Sequence, residues 1–483
     1  MISVLSVASE AYPLVKTGGL GDVVGALPEA LVGHNVSMTT LLPGYPALDA
    51  LKAKADLVHH YPALFGVEAR LLKTKNAHHE LLILDAPALF EREGGPYADQ
   101  SGRDWPDNWR RFAALGRAAA DLASGTVTGQ RFDILHAHDW QAAMAPAYLF
   151  FAPGPGPRAK SVVTIHNIAF QGRFDSSSFA SLGLPPSAYA MEGVEYYGGV
   201  GFLKAGLWAA DAITTVSPTY AQEIRTPEFG MGLEGLIQSR ASRLTGIVNG
   251  IDPMVWNPAT DAALPRRYNA LSLGRREINK RAIETTFGLE SAKGPLFAVV
   301  TRLTWQKGMD VLAAQVDDLV AKGGRLALLG SGDAALETSF RAAAARHPGL
   351  VRVVIGYDEI LSHLLQSGAD AVLIPSRFEP CGLVQLYGLA YGCVPVAART
   401  GGLADTIVDA NEAALAADAA TGVLFDELTP QSLSRAFERV VTLYAQPKVW
   451  SAIQRQGMKA DFSWSRSGAR YAALYASLSK ATA

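Results

Sequence analysis

Short apolar runs alternate along this chain with longer stretches whose apolar residues recur at helical spacing. "ISVLSVA" (residues 2–8) reads as a buried strand, and "DVVGALPEALV" (residues 22–32) reads as a helix. Further strand candidates are "SVVTIHN" (161–167), "DAITTVS" (211–217), "LFAVVTRL" (296–303), "RLALLGSG" (325–332), "VRVVIGY" (351–357) and "DAVLIPS" (370–376). Helical patterns such as "GMDVLAAQVDDLVAKG" and "GDAALETSFRAAAARH" sit between them. This alternation predicts an α/β fold with parallel sheets covered by helices on both faces. The pattern restarts after "GIVNGIDPMVWNP" (246–258), which is rich in Gly, Asn and Pro. Two doubly wound, Rossmann-like domains are therefore expected, over residues 1–245 and 246–483. The last helical pattern, "SGARYAALYASLSKA", is expected to pack back on the first domain. Open sheets of this kind bind ligands beyond the carboxyl ends of their strands, so two facing domains would hold a ligand in a deep cleft.

Composition narrows the function classes. The chain has 483 residues, 49% hydrophobic and 18% charged, with a net charge of −2. That balance suits a globular enzyme, and neither a basic run nor an aromatic–basic alternation points to nucleic acid. No stretch reads as a membrane span, and the N-terminus lacks the basic start of a signal peptide. Two cysteines, Cys381 and Cys393, support neither a disulfide framework nor a cysteine zinc site. A reducing, cytoplasmic setting is expected.

Between the first strand and the first helix lies "LVKTGGLGDV" (14–23), where Lys16 precedes Gly18, Gly19 and Gly21. A strand–loop–helix junction is where phosphates are bound, because free N–H groups and a partial positive charge gather there. The dinucleotide pattern fails, since Val24 stands where its last glycine belongs, and the P-loop fails because the lysine comes first. By itself the loop is equally a plain turn or a ligand site. "LHAHDWQ" (135–141) presents His136, His138, Asp139 and Trp140 at a strand end. Metal binding, sugar recognition and simple helix capping all remain open for it. "TIHN" adds His166 and Asn167 at another strand end. In "TRLTWQKG" (301–308), Arg302 and Lys307 make a natural diphosphate clamp, or a solvated loop. In "SRFEPCGLVQLYG", Glu379 precedes Gly382 and an apolar helix, so a carboxylate faces a helix start. "TGGLAD" (400–405) echoes "TGGLGD" (17–22), by shared backbone shape or by chance.

Taken in order, "KTGGLGDV", "HAHDWQ", "TIHN", "GIVNGID", "RLTWQKG" and "SRFEPCGLVQLYG" resemble the bacterial glycogen synthase and plant starch synthase family over essentially the whole chain. That resemblance implies a retaining glycosyltransferase of the GT-B fold. Such an enzyme moves glucose from ADP-glucose to the non-reducing end of an α-1,4-glucan, with no metal or other cofactor. It implies that Lys16, Gly18 and Gly19 approach the donor phosphates, with Arg302 and Lys307 on the diphosphate. Glu379 would hold the glucose hydroxyls, with Cys381, Gly382 and Leu383 in the same donor loop. Asp139 and His166 would lie near the glucosyl ring, Asn249 near the sugar, and Gly356 and Tyr357 on the adenine side. Lys16, Asp139, His166, Arg302, Lys307 and Glu379 are the implied catalytic set. Glu10, Tyr97 and Asn167 are candidates for holding the glucan. The family's wider pattern of two glutamates eight positions apart is half present, because Tyr387 stands eight after Glu379, as in bacterial synthases. Another retaining nucleotide-sugar transferase and a non-catalytic glucan-binding protein are the alternatives. Nothing in the residues speaks to oligomeric state.

Overall fold

The structure is a computed structural model that describes residues 1–76, 79–127 and 129–480. The chain divides into two compact units, Met1–Gly250 with Trp464–Ala483, and Ile251–Ser463. The first unit thus runs five residues past the expected boundary at 245 and also takes the C-terminal helix.

The first unit is built on nine strands: β1 (Ile2–Val7), β2 (Val36–Pro43), β3 (Asp56–Leu64), β4 (Val67–Lys75), β5 (Glu80–Asp85), β6 (Ile134–His138), β7 (Lys160–Ile165), β11 (Ala212–Thr215) and β12 (Leu244–Gly246). A small antiparallel sheet of β8 (Arg173–Phe174), β9 (Glu195–Tyr196) and β10 (Gly199–Gly201) lies between β7 and β11 in sequence. The large sheet has the order β12-β11-β7-β6-β1-β2-β5-β4-β3. Its pairings are parallel except where β4 meets β3 and β5. The chain leaves β1 toward β2 on one side and returns to β6 on the other, so the topological switch point lies between β1 and β6. Its parallel strands are buried runs such as Val4, Leu5 and Val7, as sheets covered on both faces require.

The C-terminal helix Trp464–Lys480 belongs to this unit because its apolar face has its partners here. Tyr471 and Tyr475 join Val4, Leu27, Leu31 and Ile134 in one cluster. A Cβ on Gly468 would stand 2.3 Å from the Ala30 carbonyl oxygen, so only glycine lets this helix approach the one at Gly19–Ala30 so closely.

The second unit carries β13 (Leu296–Val300), β14 (Arg325–Gly330), β15 (Val351–Ile355), β16 (Ala371–Ile374), β17 (Val394–Ala398) and β18 (Val423–Phe425). All its pairings are parallel, in the order β15-β14-β13-β16-β17-β18. This is the doubly wound order of a Rossmann fold, with its switch point between β13 and β16. Helices Met309–Ala314 and Val316–Ala321 replace the single helix expected over residues 308–323. Gln315 (φ −107°, ψ 4°) separates them, and Asp317 and Asp318 favour a new helix start because they face its positive end.

Candidate active site

In both units the candidate residues lie at the carboxyl ends of strands at or beside the switch point. In the first, Glu10 follows β1, Asp139 follows β6 and His166 follows β7. Glu10 is buried, and it organises the glycine-rich loop. Its Oε1 accepts from the Thr17 hydroxyl at 2.6 Å and from the Tyr97 hydroxyl; its Oε2 accepts from the backbone N–H groups of Thr17 and Gly18. Tyr97 also bonds Ser9 Oγ at 2.7 Å. Two of the three candidates for glucan contact, Glu10 and Tyr97, therefore brace the loop that carries Lys16, and each holds the other. Thr17, which sequence reasoning passed over inside its own motif, is the loop residue that Glu10 grips.

Lys16 pairs with Asp22 at 2.7 Å and lies over the Tyr12 ring. Gly18 is extended (φ −160°) and caps the helix Gly19–Ala30 without a side chain. A Cβ at Gly18 would meet nothing within 4 Å, so its glycine leaves open space rather than relieving a clash.

Asp139 adopts a left-handed φ of 54°, uncommon for a residue with a side chain. Its Oδ1 accepts from the His166 N–H at 2.7 Å and lies 3.5 Å from the Asn167 N–H, which fixes the "HAHD" and "TIHN" segments to each other. Asn167 Oδ1 meanwhile caps the Ala169 N–H at 3.0 Å. Burial raises the Asp139 carboxyl to about 8, against the pull of those two backbone N–H groups.

The histidines form a buried polar row. His138 Nε2 bonds Ser6 Oγ at 3.1 Å, and its Nδ1 bonds His166 Nε2 at 3.0 Å. His136 bonds the Tyr475 hydroxyl at 2.7 Å and Thr164 Oγ1 at 2.6 Å. Among the described residues no group of three or more His, Cys, Asp or Glu is placed to hold a metal ion. Burial holds His136 and His166 down at about 3 and pushes His138 well below its ordinary value, so all three are neutral.

These shifts set a stability profile. A histidine depressed in the fold contributes stability above its unfolded value of 6.5 and loses it as pH falls toward the folded value. Asp139, raised in the fold, contributes fully below 3.8 and loses that contribution as pH rises through about 8. Of these four groups, the histidines dominate between 3.8 and 6.5, so stability rises with pH there. Above about pH 7.5 the histidines are neutral in both states, and of the four groups only Asp139 still titrates, so stability falls toward 8. The melting temperature should be about 1 °C or more lower at pH 8.5 than at 7.5 in the wild type, and that fall should vanish in Asp139→Asn.

Asn249 is buried, and its Oδ1 finds no hydrogen-bond partner among the described residues. An unpaired buried acceptor is costly unless something else satisfies it.

In the second unit, Arg302 follows β13 and Glu379 follows β16, on either side of the switch point. Lys307 Nζ lies 2.5 Å from Glu379 Oε2, and Ser376 Oγ donates to the same oxygen at 2.9 Å. Ser376, three residues before Glu379, is a further contact that the sequence carried but did not flag. Arg302 is exposed and makes no hydrogen bond or ion pair with the described residues. Gly356, at the end of β15, has φ 137°, and a Cβ there would meet nothing within 4 Å. Tyr357 beside it is 75% exposed, a large ring presented to solvent. Cys381 is buried and forms no disulfide, and its carbonyl accepts from Gln385 Nε2 at 2.9 Å. Gly382 (φ 73°) and Leu383 lead into the helix Val384–Tyr391.

Two Rossmann-like units are the architecture of the GT-B class, and the family models place the chain among glycosyltransferases. Residues 3–239 match the family model described as starch synthase catalytic domain, and residues 283–456 match glycosyl transferases group 1. A glycogen synthase of Novosphingobium aromaticivorans is 66% identical, with 99% of each chain covered. Glycogen synthase 1 of Rhizobium meliloti is 58% identical over the same shares. Among solved structures, the catalytic domain of starch synthase IV from Arabidopsis thaliana, bound to ADP and acarbose, superimposes with a TM-score of 0.88. It is 31% identical, with 99% of each chain covered. The chain belongs to the glycogen synthase and starch synthase family of glycosyltransferases. Among the described residues no helix is long and apolar enough to cross a membrane.

Proposed function

We propose that this glycosyltransferase moves glucose from ADP-glucose to the non-reducing end of an α-1,4-glucan, retaining the anomeric configuration and using no metal. The observation that carries the reading is the Lys307–Glu379 pair beside exposed Arg302 at the switch point of the second unit. Two cations at one strand end suit a diphosphate, and a carboxylate beside them suits the sugar attached to it. The charge that develops on departing ADP would be neutralised by Arg302 and Lys307. Glu379 would accept hydrogen bonds from glucose hydroxyls. The acceptor 4-OH would then attack from the face the ADP leaves, with the leaving phosphate taking its proton. Retaining hydrolases instead use a carboxylate pair. Tyr387, where the wider pattern has its second glutamate, stacks on Trp256 with ring centroids 3.5 Å apart. The two buried cysteines, which form no disulfide, fit a reducing cytoplasm.

The adenine donor is supported by the Arabidopsis relative, which was solved with ADP. Incorporation of labelled glucose into glycogen should proceed from ADP-glucose in the presence of EDTA and be at least tenfold slower from UDP-glucose. Equal rates from both donors would remove the adenine preference. Loss of activity in EDTA, restored by a divalent cation, would remove the metal-free mechanism. Binding of glycogen without transfer from either donor would leave a glucan-binding protein.

A further inference from the structure

The cationic loop at Arg302–Lys307 and the acidic loop at Glu379 come from different strands, and a salt bridge at 2.5 Å needs both held in place. The Arg377 side chain ties them together. The Arg377 guanidinium forms a fork with Asp310, Nη1 to Oδ1 at 2.6 Å and Nη2 to Oδ2 at 2.7 Å. The same Nη1 donates to the Trp305 carbonyl at 2.6 Å, and the guanidinium carbon lies 4.4 Å from the Trp305 ring centroid. The Arg377 backbone N–H donates to the Gln306 carbonyl at 2.9 Å, and Gln306 Nε2 returns a bond to the Phe378 carbonyl at 3.3 Å. Gly308 closes the seam: its φ is 68°, and a Cβ there would stand 1.9 Å from the Pro375 carbonyl oxygen.

We infer that Arg377, gripped by Asp310 and stacked on Trp305, is a positioning residue that holds the Arg302–Lys307 loop in register with Glu379. It rests on the donor-site reading above. A planar fork fixes both distance and angle, whereas a lysine would keep the charge and lose both. Trp305 is 62% exposed, an unfavourable place for an indole unless its face is used; here Arg377 uses it. The Arg377 fork holds the Asp310 carboxyl below its ordinary value, so the grip stays charged at neutral pH. Neither Arg377 nor Asp310 has to touch the donor, because the placement of Lys307 against Glu379 follows from theirs.

The test uses the full chain, with ADP-glucose as donor and glycogen as acceptor. Arg377→Lys and Asp310→Asn should each lower kcat/KM for the donor about tenfold or more, since displacements near 1 Å carry such losses. KM for glycogen should stay within twofold. The decisive comparison repeats Arg377→Lys in a Lys307→Ala background. There the substitution should cost less than twofold, because the group it positions is gone. An equal cost in both backgrounds would make Arg377 merely structural and overturn the inference. So would wild-type activity of Arg377→Lys and Asp310→Asn beside an impaired Lys307→Ala. If Lys307→Ala itself retains full transfer, the donor-site reading falls, and the inference with it. Should Arg377→Lys fail to fold, as judged by circular dichroism, Asp310→Asn carries the same cycle.

Discussion

Replacing Glu379 with glutamine should lower glucosyl transfer by about 100-fold or more while the protein stays folded. The carboxylate is nearly inaccessible, yet it shares one oxygen with Lys307 at 2.5 Å and Ser376 at 2.9 Å. Glutamine keeps the shape and the hydrogen-bonding oxygen but removes the charge. Lys307 is then left without its counter-ion in a largely buried position, which breaks a buried pair from one side. The amide also brings two donors to a place where sugar hydroxyls are to donate. Rates should therefore fall much further than the melting temperature does. Steady-state transfer from ADP-glucose, measured beside a thermal melt, separates the two effects. A folded Glu379→Gln protein within threefold of wild type would remove this carboxylate from the chemistry.

Gly401→Ala should be nearly as damaging, although residue 401 carries no functional group. Its φ is 44°, and an added Cβ would stand 2.0 Å from the carbonyl oxygen of Glu379. At Gly402, a Cβ would stand 2.2 Å from the Cys381 carbonyl oxygen. In place of those Cβ atoms the Gly402 N–H bonds the Glu379 carbonyl at 3.0 Å. Any side chain at 401 must push the backbone of the glutamate itself, and backbone cannot swing aside as a side-chain tip can. We expect transfer to drop at least tenfold and the melting temperature to fall by several degrees, about 2–4 °C for each kcal/mol lost. Gly18→Ala makes the control, since its Cβ meets open space in the ligand-free chain. It should melt like the wild type.

Those two glycine runs show where reading the sequence stops. "TGGLGD" and "TGGLAD" are alike as strings, and nothing in their residues says why each needs glycine. In the structure the reasons differ. Gly401 and Gly402 are demanded by the crossing of another loop, whereas Gly18 borders empty space in front of the helix Gly19–Ala30. Glu10 and Tyr97 make the same point. As isolated residues they are candidates for a glucan contact; in the structure Glu10 joins Tyr97 to Thr17 of the loop, and that link depends on where β1 ends.

Local signals were enough for much of the rest. Apolar runs of Val, Ile and Leu marked β1, β7, β11 and β13 to β16, because strands buried on both faces carry no alternation to obscure them. The antiparallel strands β3 and β4 mix exposed and buried positions and gave a weaker signal. The six motifs identified the family without a contact map, since each holds its residues within a few positions.

What the sequence determined by itself was the class of fold, the family and the set of residues at strand ends, because these depend on periodicity and short-range spacing. What only the tertiary structure decided was which of them act together. Lys307 meets Glu379, Asp139 ties His166, and Arg377 grips Asp310 across 72, 27 and 67 positions of chain. Contacts at such separations are set by strand order and by the close approach of backbones, and no local pattern of residues encodes that order.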